Sequence, residues 1–134
     1  MRVYENKYWT VDYFADKGLI VLTWLQESYR MTDNEYKDCF LAYAEITEKF
    51  KPTRNISDVR DMKFLITPEL QEWTNEVVFS RFWAVGLRKV AFVTSKVMLA
   101  QMSVEQTMEE ETGSSFEFQY FDTIENAEKW VLGL

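Results

Sequence analysis

Two short runs of the chain are apolar on both of the faces that a β-strand presents. They are Leu19 to Leu25 and Val90 to Thr94. Strands of this kind are buried on both sides, which is typical of a parallel sheet covered by helices. This pattern limits the chain to an α/β fold more strongly than any other feature of the sequence.

Residues that favour the start of a helix lie between these two strands and after the second of them. Thr32-Asp33-Asn34-Glu35 predicts a capping box, in which Thr32 and Glu35 satisfy each other's backbone donors. Thr67-Pro68-Glu69 predicts a second helix with proline in its first position. Two further starts are predicted at Ser95 and in a capping box over Asp122-Thr123-Ile124-Glu125.

Three more strands complete the predicted order. They are Tyr8 to Phe14, Asn55 to Val59 and Phe116 to Tyr120, the last of which alternates as a half-buried edge strand does. The order β-β-α-β-α-β-α-β-α predicts a mixed five-stranded sheet with four parallel strands. The N-terminal hairpin supplies one antiparallel strand, and four main helices cover the sheet. We expect one domain spanning residues 1–134.

Charge and composition exclude several classes of function. The chain has 22 Asp and Glu against 15 Lys and Arg, a net charge of −7, which disfavours nucleic acid and anionic membranes as partners. It has no histidine, one cysteine and four glycines, so histidine-based catalysis, thiolate metal sites and glycine-rich phosphate loops are not expected. We therefore expect a non-enzymatic protein without a cofactor. Without an apolar leader or a long apolar stretch, it is expected to be cytoplasmic.

A polar cluster follows the predicted strand at Asn55. Ser57, Asp58, Arg60 and Asp61 lie where an inner parallel strand and its exit are expected to be apolar. One interpretation is structural, with Asp58 accepting backbone N–H groups and pairing with Arg60 or Arg88. The other is a ligand site at the carboxyl edge of the sheet. The residues of that predicted site are Asp58, Arg60, Asp61, Thr67, Ser95 and Thr123.

The segment from Val77 to Val85 is too apolar for a simple amphipathic helix. It is either buried on most sides or forms an exposed patch that binds a partner. The second interpretation predicts a homodimer. Its interface would contain Phe79, Phe82 and Trp83, with Met98 and Met102 of the following predicted helix beside them.

Several stretches resemble one known family. They are Ser57-Asp58-Val59-Arg60-Asp61, Leu87 to Val93, Tyr120-Phe121-Asp122 and Ala127 to Val131. With the element order, they resemble the STAS domain of the bacterial anti-sigma-factor antagonists, and more closely its SpoIIAA-like branch. The resemblance spans Tyr8 to Leu134, and it implies a fold used mainly for protein–protein contact and regulation.

One part of the chain departs from the pattern of that family. The antagonists carry a serine, phosphorylated by a partner kinase, within an Asp-Ser-Ser-Gly sequence that opens a helix. The equivalent stretch here is Leu65-Ile66-Thr67-Pro68-Glu69-Leu70, which lacks the acidic residue, the serine pair and the glycine. We therefore expect Thr67 to act as a helix cap and not as a phosphorylation switch.

Two functions remain open from the sequence. The first is an interaction module of STAS type that binds a protein partner or a second copy of itself. The second is a small-molecule binder with an aromatic-lined pocket for an apolar or lipid-like ligand, since 16% of the residues are aromatic.

Overall fold

A six-stranded sheet forms the centre of the molecule, for which the computed structural model describes residues 1–94 and 115–134. Its strands lie in chain order, from β1 at one edge to β6 at the other. They are β1 (Arg2–Glu5), β2 (Trp9–Phe14), β3 (Leu19–Trp24), β4 (Arg54–Asp58), β5 (Lys89–Val93) and β6 (Glu117–Phe121). The pairs from β3 to β6 are parallel, whereas the β1–β2 and β2–β3 pairs are antiparallel, so that β2 alone runs opposite to the other strands. The predicted α/β class and the N-terminal hairpin are confirmed.

The sheet has one strand more than the sequence pattern predicts. The additional strand is β1, which is only four residues long and pairs with β2 across an irregularity between Arg2 and Tyr4. Arg2 is bonded to Asp12 of β2 and to Glu5, so charged side chains lie along this edge. Charges and a bulge on an edge strand oppose pairing with another chain.

Four α-helices are present among the described residues: α1 (Asp33–Phe50), α2 (Pro68–Trp73), α3 (Ser80–Ala84) and α4 (Ile124–Leu132). The capping box of Thr32 and Glu35 is present, and the Thr67 hydroxyl accepts from the Leu70 backbone N–H, as predicted. The predicted box at Asp122 is wrong by one position. Thr123 is the cap of α4, and it accepts from the backbone N–H of Asn126.

A π-helical turn, Thr74–Phe79, joins α2 to α3 without a break in the helical backbone. Side chains near it bond to backbone oxygens four residues earlier: Thr74 Oγ1 donates to the Leu70 carbonyl at 2.6 Å, and Asn75 Nδ2 to that of Gln71 at 3.4 Å. Such bonds compete with the backbone ladder of a helix. The wider turn changes the angular spacing of the residues that follow it.

The two faces of the sheet carry separate cores. The continuous helix of residues 68–84, which consists of α2, the π-helical turn and α3, is called the α2–α3 segment. On one face of the sheet, α1 and the α2–α3 segment cover a large core rich in aromatic side chains, including Trp9, Tyr36 and Phe40. On the other face, α4 packs over a smaller core that contains Ile56, Ala91, Val93 and Val131. Because side chains alternate between the two faces of a strand, neighbouring residues of β4 and β5 face opposite cores.

Some predictions concern residues 95–114, which are not described. The predicted helix that begins at Ser95 and the methionines Met98 and Met102 lie in this range. Among the helices of the described ranges, none is both long enough and apolar enough to cross a membrane.

Candidate functional site

A cavity of about 70 Å³ lies between the larger helical layer and the sheet. Side chains of β3, β4 and β5 form its floor, and α1 and the α2–α3 segment form its roof. Its described walls carry no charged side chain. They are formed by Leu22, Trp24, Tyr36, Phe40, Tyr43, Asn55, Ser57, Val59, Met62, Ile66, Thr74, Phe79, Phe82, Val90, Phe92 and Phe116.

Two polar residues of β4 face this cavity. Because side chains alternate along a strand, Asn55 and Ser57 point to the aromatic core while Ile56 points to the other. Ser57 Oγ donates to Asn55 Oδ1 at 2.8 Å, and Asn55 Nδ2 contacts the Tyr43 hydroxyl at 2.5 Å and the Ile20 carbonyl oxygen at 3.4 Å. These bonds offset much of the desolvation of polar groups in the middle of the sheet.

A second polar pair lies in the roof of the cavity. Tyr36 and Thr74 are joined by a hydroxyl–hydroxyl hydrogen bond of 2.7 Å. Because the Thr74 hydroxyl already donates to the Leu70 carbonyl oxygen, Tyr36 is the donor in this pair. The pair connects α1 to the π-helical turn, and π-helical turns are frequent at functional sites.

Burial keeps both tyrosine hydroxyls protonated. It raises the pKa of Tyr36 and of Tyr43 well above the ordinary tyrosine value, because the phenolate would lose its hydration. Both side chains are buried. The cavity therefore offers neutral hydroxyl and amide groups within an apolar wall at neutral pH.

The predicted cluster at the carboxyl edge contains a close ion pair. Asp58 is 7% exposed as a whole residue, and its carboxylate accepts from the backbone N–H of Arg60 at 3.1 Å and from the Arg60 guanidinium at 3.0 and 2.8 Å. The carboxylate raises the pKa of Arg60, chiefly through these side-chain hydrogen bonds. This geometry matches the structural interpretation of Asp58 with Arg60 as its partner. The other candidate, Arg88, donates instead to the carbonyl oxygens of Trp83 and Leu87.

The remaining residues of the predicted carboxyl-edge site have separate positions. Asp61 is exposed, and its charge acts on Arg60 together with that of Glu125 in the first turn of α4. Thr67 and Thr123 are the caps of α2 and α4. Ser95 lies outside the described residues. A ligand at this edge stays a prediction.

The predicted interface residues differ in burial. Phe82 is 4% exposed and belongs to the aromatic core, so its inclusion in an exposed patch is wrong. Phe79 is partly buried against the same core, whereas Trp83 is 37% exposed. The guanidinium of Arg88 lies 3.7 Å from the Trp83 ring centroid and covers one face of the ring.

The sequence analysis left an aromatic-lined pocket open and named Ser57 as a polar residue of the strand, but it did not connect Ser57 with a pocket or single out the other polar groups of the wall. A signal for them exists in β4, where Asn55 and Ser57 alternate with an apolar residue in a strand expected to be apolar throughout. The partners Tyr36, Tyr43 and Thr74 give no such signal, since tyrosine and threonine are ordinary residues on a helical face.

The last observations concern metal binding and the relatives of the chain. Within residues 1–94 and 115–134, no group of His, Cys, Asp and Glu side chains is arranged to hold a metal ion. A family model described as SpoIIAA-like matches residues 22–132, a range that includes every described wall residue of the cavity. No curated protein and no solved structure matches the chain.

Proposed function

Because the chain belongs to the SpoIIAA-like family, we propose that it is a regulatory module of STAS type that acts by binding and not by catalysis. Its ligand is a small apolar molecule held between the sheet and the larger helical layer. The observation that carries this proposal is the cavity, which lies among aromatic and aliphatic side chains that ordinarily pack without gaps.

The walls of the cavity support a regulatory role for such a ligand. An occupant contacts β4 on one side and, on the other, Thr74 and Phe79 at the two ends of the π-helical turn. A ligand that binds one arrangement of this turn more tightly than another shifts the balance between them. The same helical segment carries the partly exposed Trp83 on its surface, so a change inside the cavity can alter what a partner protein contacts.

The first test fills the cavity from its floor. Val90 lines the cavity, and Val90→Met extends the side chain into it. Xenon, a probe of apolar cavities, is expected to give a saturable bound signal in ¹²⁹Xe NMR with the unmodified chain. The substitution is expected to weaken this binding several-fold and to change the free energy of unfolding by less than about 1.5 kcal/mol, because the added atoms occupy existing space.

Val93 provides the matched control on the same strand. It faces the smaller core, where it is fully buried. Val93→Met should leave xenon binding unchanged and destabilise the fold by about 1–3 kcal/mol through overpacking. Unmodified protein that binds no xenon, or Val90→Met that binds it as well as the unmodified chain, would contradict the proposal.

Self-association is the second candidate, and the observation that favours it is the exposure of Trp83. This side chain lies at the end of the α2–α3 segment and contacts Phe116 with a ring centroid distance of 5.6 Å. Phe79 also contacts Phe116, so the three rings form one aromatic cluster, of which Trp83 is the exposed member. Tryptophan and arginine are both enriched in the hot spots of protein–protein interfaces.

A further inference from the structure

Three polar side chains in the wall of the cavity carry one hydrogen that no described residue accepts. Asn55, Ser57 and Tyr43 together offer four hydrogens, two on the amide nitrogen and one on each hydroxyl. Three of these hydrogens are used. Asn55 Nδ2 donates to the Tyr43 hydroxyl and to the Ile20 carbonyl oxygen, and Ser57 Oγ donates to Asn55 Oδ1. One hydrogen therefore has no acceptor among the described residues.

The unused hydrogen belongs to Tyr43. The Tyr43 hydroxyl oxygen accepts from the Asn55 amide, and no acceptor for its own hydrogen is present in the described part of the chain. Turning the Asn55 amide by 180° would place its oxygen against the Ile20 carbonyl oxygen, which is a contact between two acceptors. The contacts therefore favour the orientation in which the Asn55 nitrogen faces Ile20 and Tyr43, and in this orientation the Tyr43 hydrogen has no acceptor among the described residues.

We infer that the cavity binds small neutral molecules that carry one hydrogen-bond acceptor, such as a ketone, aldehyde or ester, with that acceptor on the Tyr43 hydroxyl. This inference rests on the proposed function and specifies its ligand. A buried donor without a partner is unfavourable, so an occupant that supplies an acceptor binds more tightly than its hydrocarbon analogue would by shape alone. Carboxylates are disfavoured, because no described wall residue carries a positive charge to balance a buried anion.

The volume of the cavity limits the size of the ligand. About 70 Å³ is roughly half of the 150 Å³ of an apolar cavity known to accept benzene. Benzene has six non-hydrogen atoms, so a compact molecule of about three to four is the appropriate probe on this scale. Acetone and isobutene are of this size and have nearly the same shape, and only the ketone has an acceptor. Acetate, which has the same shape, tests the charged alternative.

The experiment measures the binding of the three probes by NMR, with the methyl groups of Leu22, Val59 and Val90 as reporters in the cavity wall. Tyr43→Phe should weaken the binding of acetone about fivefold and that of isobutene less than twofold, since one hydrogen bond is lost. Acetate should not bind. The matched control is Tyr36→Phe, which removes a hydroxyl from the same cavity that already donates to Thr74. It should affect both neutral probes equally.

A second measurement needs no variant. The carbonyl stretching frequency of bound acetone should stay near its value in water, where hydrogen bonds are donated to it. A frequency equal to that in hexane would overturn the inference, as would equal effects of Tyr43→Phe on both neutral probes or tighter binding of acetate than of the ketone. If none of the probes perturbs the reporters in the unmodified chain, the proposed function itself fails.

Discussion

At the scale of single residues, polar side chains inside the aromatic core decide what the core can do. Asn55 and Ser57 occupy positions of a central strand where apolar side chains would pack more simply. Their hydrogen bonds make them tolerable but leave a donor in the cavity. At the surface, by contrast, Glu35 uses both carboxylate oxygens: it accepts from the Thr32 backbone N–H at 2.9 Å and from the Tyr8 hydroxyl at 2.8 Å.

These bonds make the contribution of Glu35 depend on pH. The Thr32 backbone N–H, and then the Tyr8 hydroxyl, lower the pKa of Glu35 below its ordinary value of 4.5. A carboxylate whose pKa is lowered by folding stabilises the fold above that ordinary value, and this stabilisation is lost as the pH falls through the folded pKa. Glu35→Gln should therefore lower the free energy of unfolding at pH 7, and the difference from the unmodified chain should shrink below about pH 4.5.

Chemical denaturation at a series of pH values measures this difference. Glu72, an exposed glutamate of α2, provides the control. Glu72→Gln should change the free energy of unfolding by less than about 0.5 kcal/mol. A deficit in Glu35→Gln that is the same at pH 3 and at pH 7 would show that the carboxylate charge is not its source.

At the scale of elements, the helix from Pro68 to Ala84 shows where sequence patterns succeed and where they end. Its start was predictable, because Thr67 and Pro68 are residues that favour the beginning of a helix. Its π-helical turn was not, because a helical pattern assumes one constant angle per residue. The wide apolar arc from Val77 to Val85 results from this turn, because the turn changes the side of the helix on which later residues lie.

The cap of this helix gives a prediction of its own. The Thr67 hydroxyl accepts from the Leu70 backbone N–H at 3.4 Å, so Thr67→Ala should lower the free energy of unfolding by about 1 kcal/mol. Thr67→Ser keeps the hydroxyl and should retain most of that stability. Thermal and denaturant unfolding of the two variants measure the difference. A phosphate on Thr67, found by intact-mass measurement and altering the binding of a partner, would contradict a purely structural role.

At the scale of the whole molecule, the fold class followed from the order of strands and helices, and it is confirmed. The strand β1 was not predicted, because four residues with charged ends form too short a pattern. An aromatic-lined pocket was one of the two alternatives from the sequence, but the position of the cavity could not be predicted, because it depends on how α1, the α2–α3 segment and the sheet meet in three dimensions. Burial of Phe82 and exposure of Trp83 follow from the same packing, although the two residues are neighbours in the chain.

Self-association belongs to this scale and has a direct test. If the exposed Trp83 is central to a homodimer, sedimentation should show a dimer, and Trp83→Ala should weaken it by about 2 kcal/mol or more. Tyr29 is the matched control, because it is also an exposed aromatic residue beside an arginine. Tyr29→Ala should leave the dimer unchanged. A monomer at high micromolar concentration would rule out this surface as a dimer interface.

The cavity in the aromatic core determines how this face of the molecule responds to hydrostatic pressure. Pressure favours the state of smaller total volume, and the volume change on unfolding scales with the internal space that unfolding removes. The volume of the cavity corresponds to about 40 mL per mole of protein, which is comparable with the volume changes that proteins show on unfolding. Compression therefore acts against the packing of the aromatic face, and a molecule that fills the cavity makes that face resistant to it.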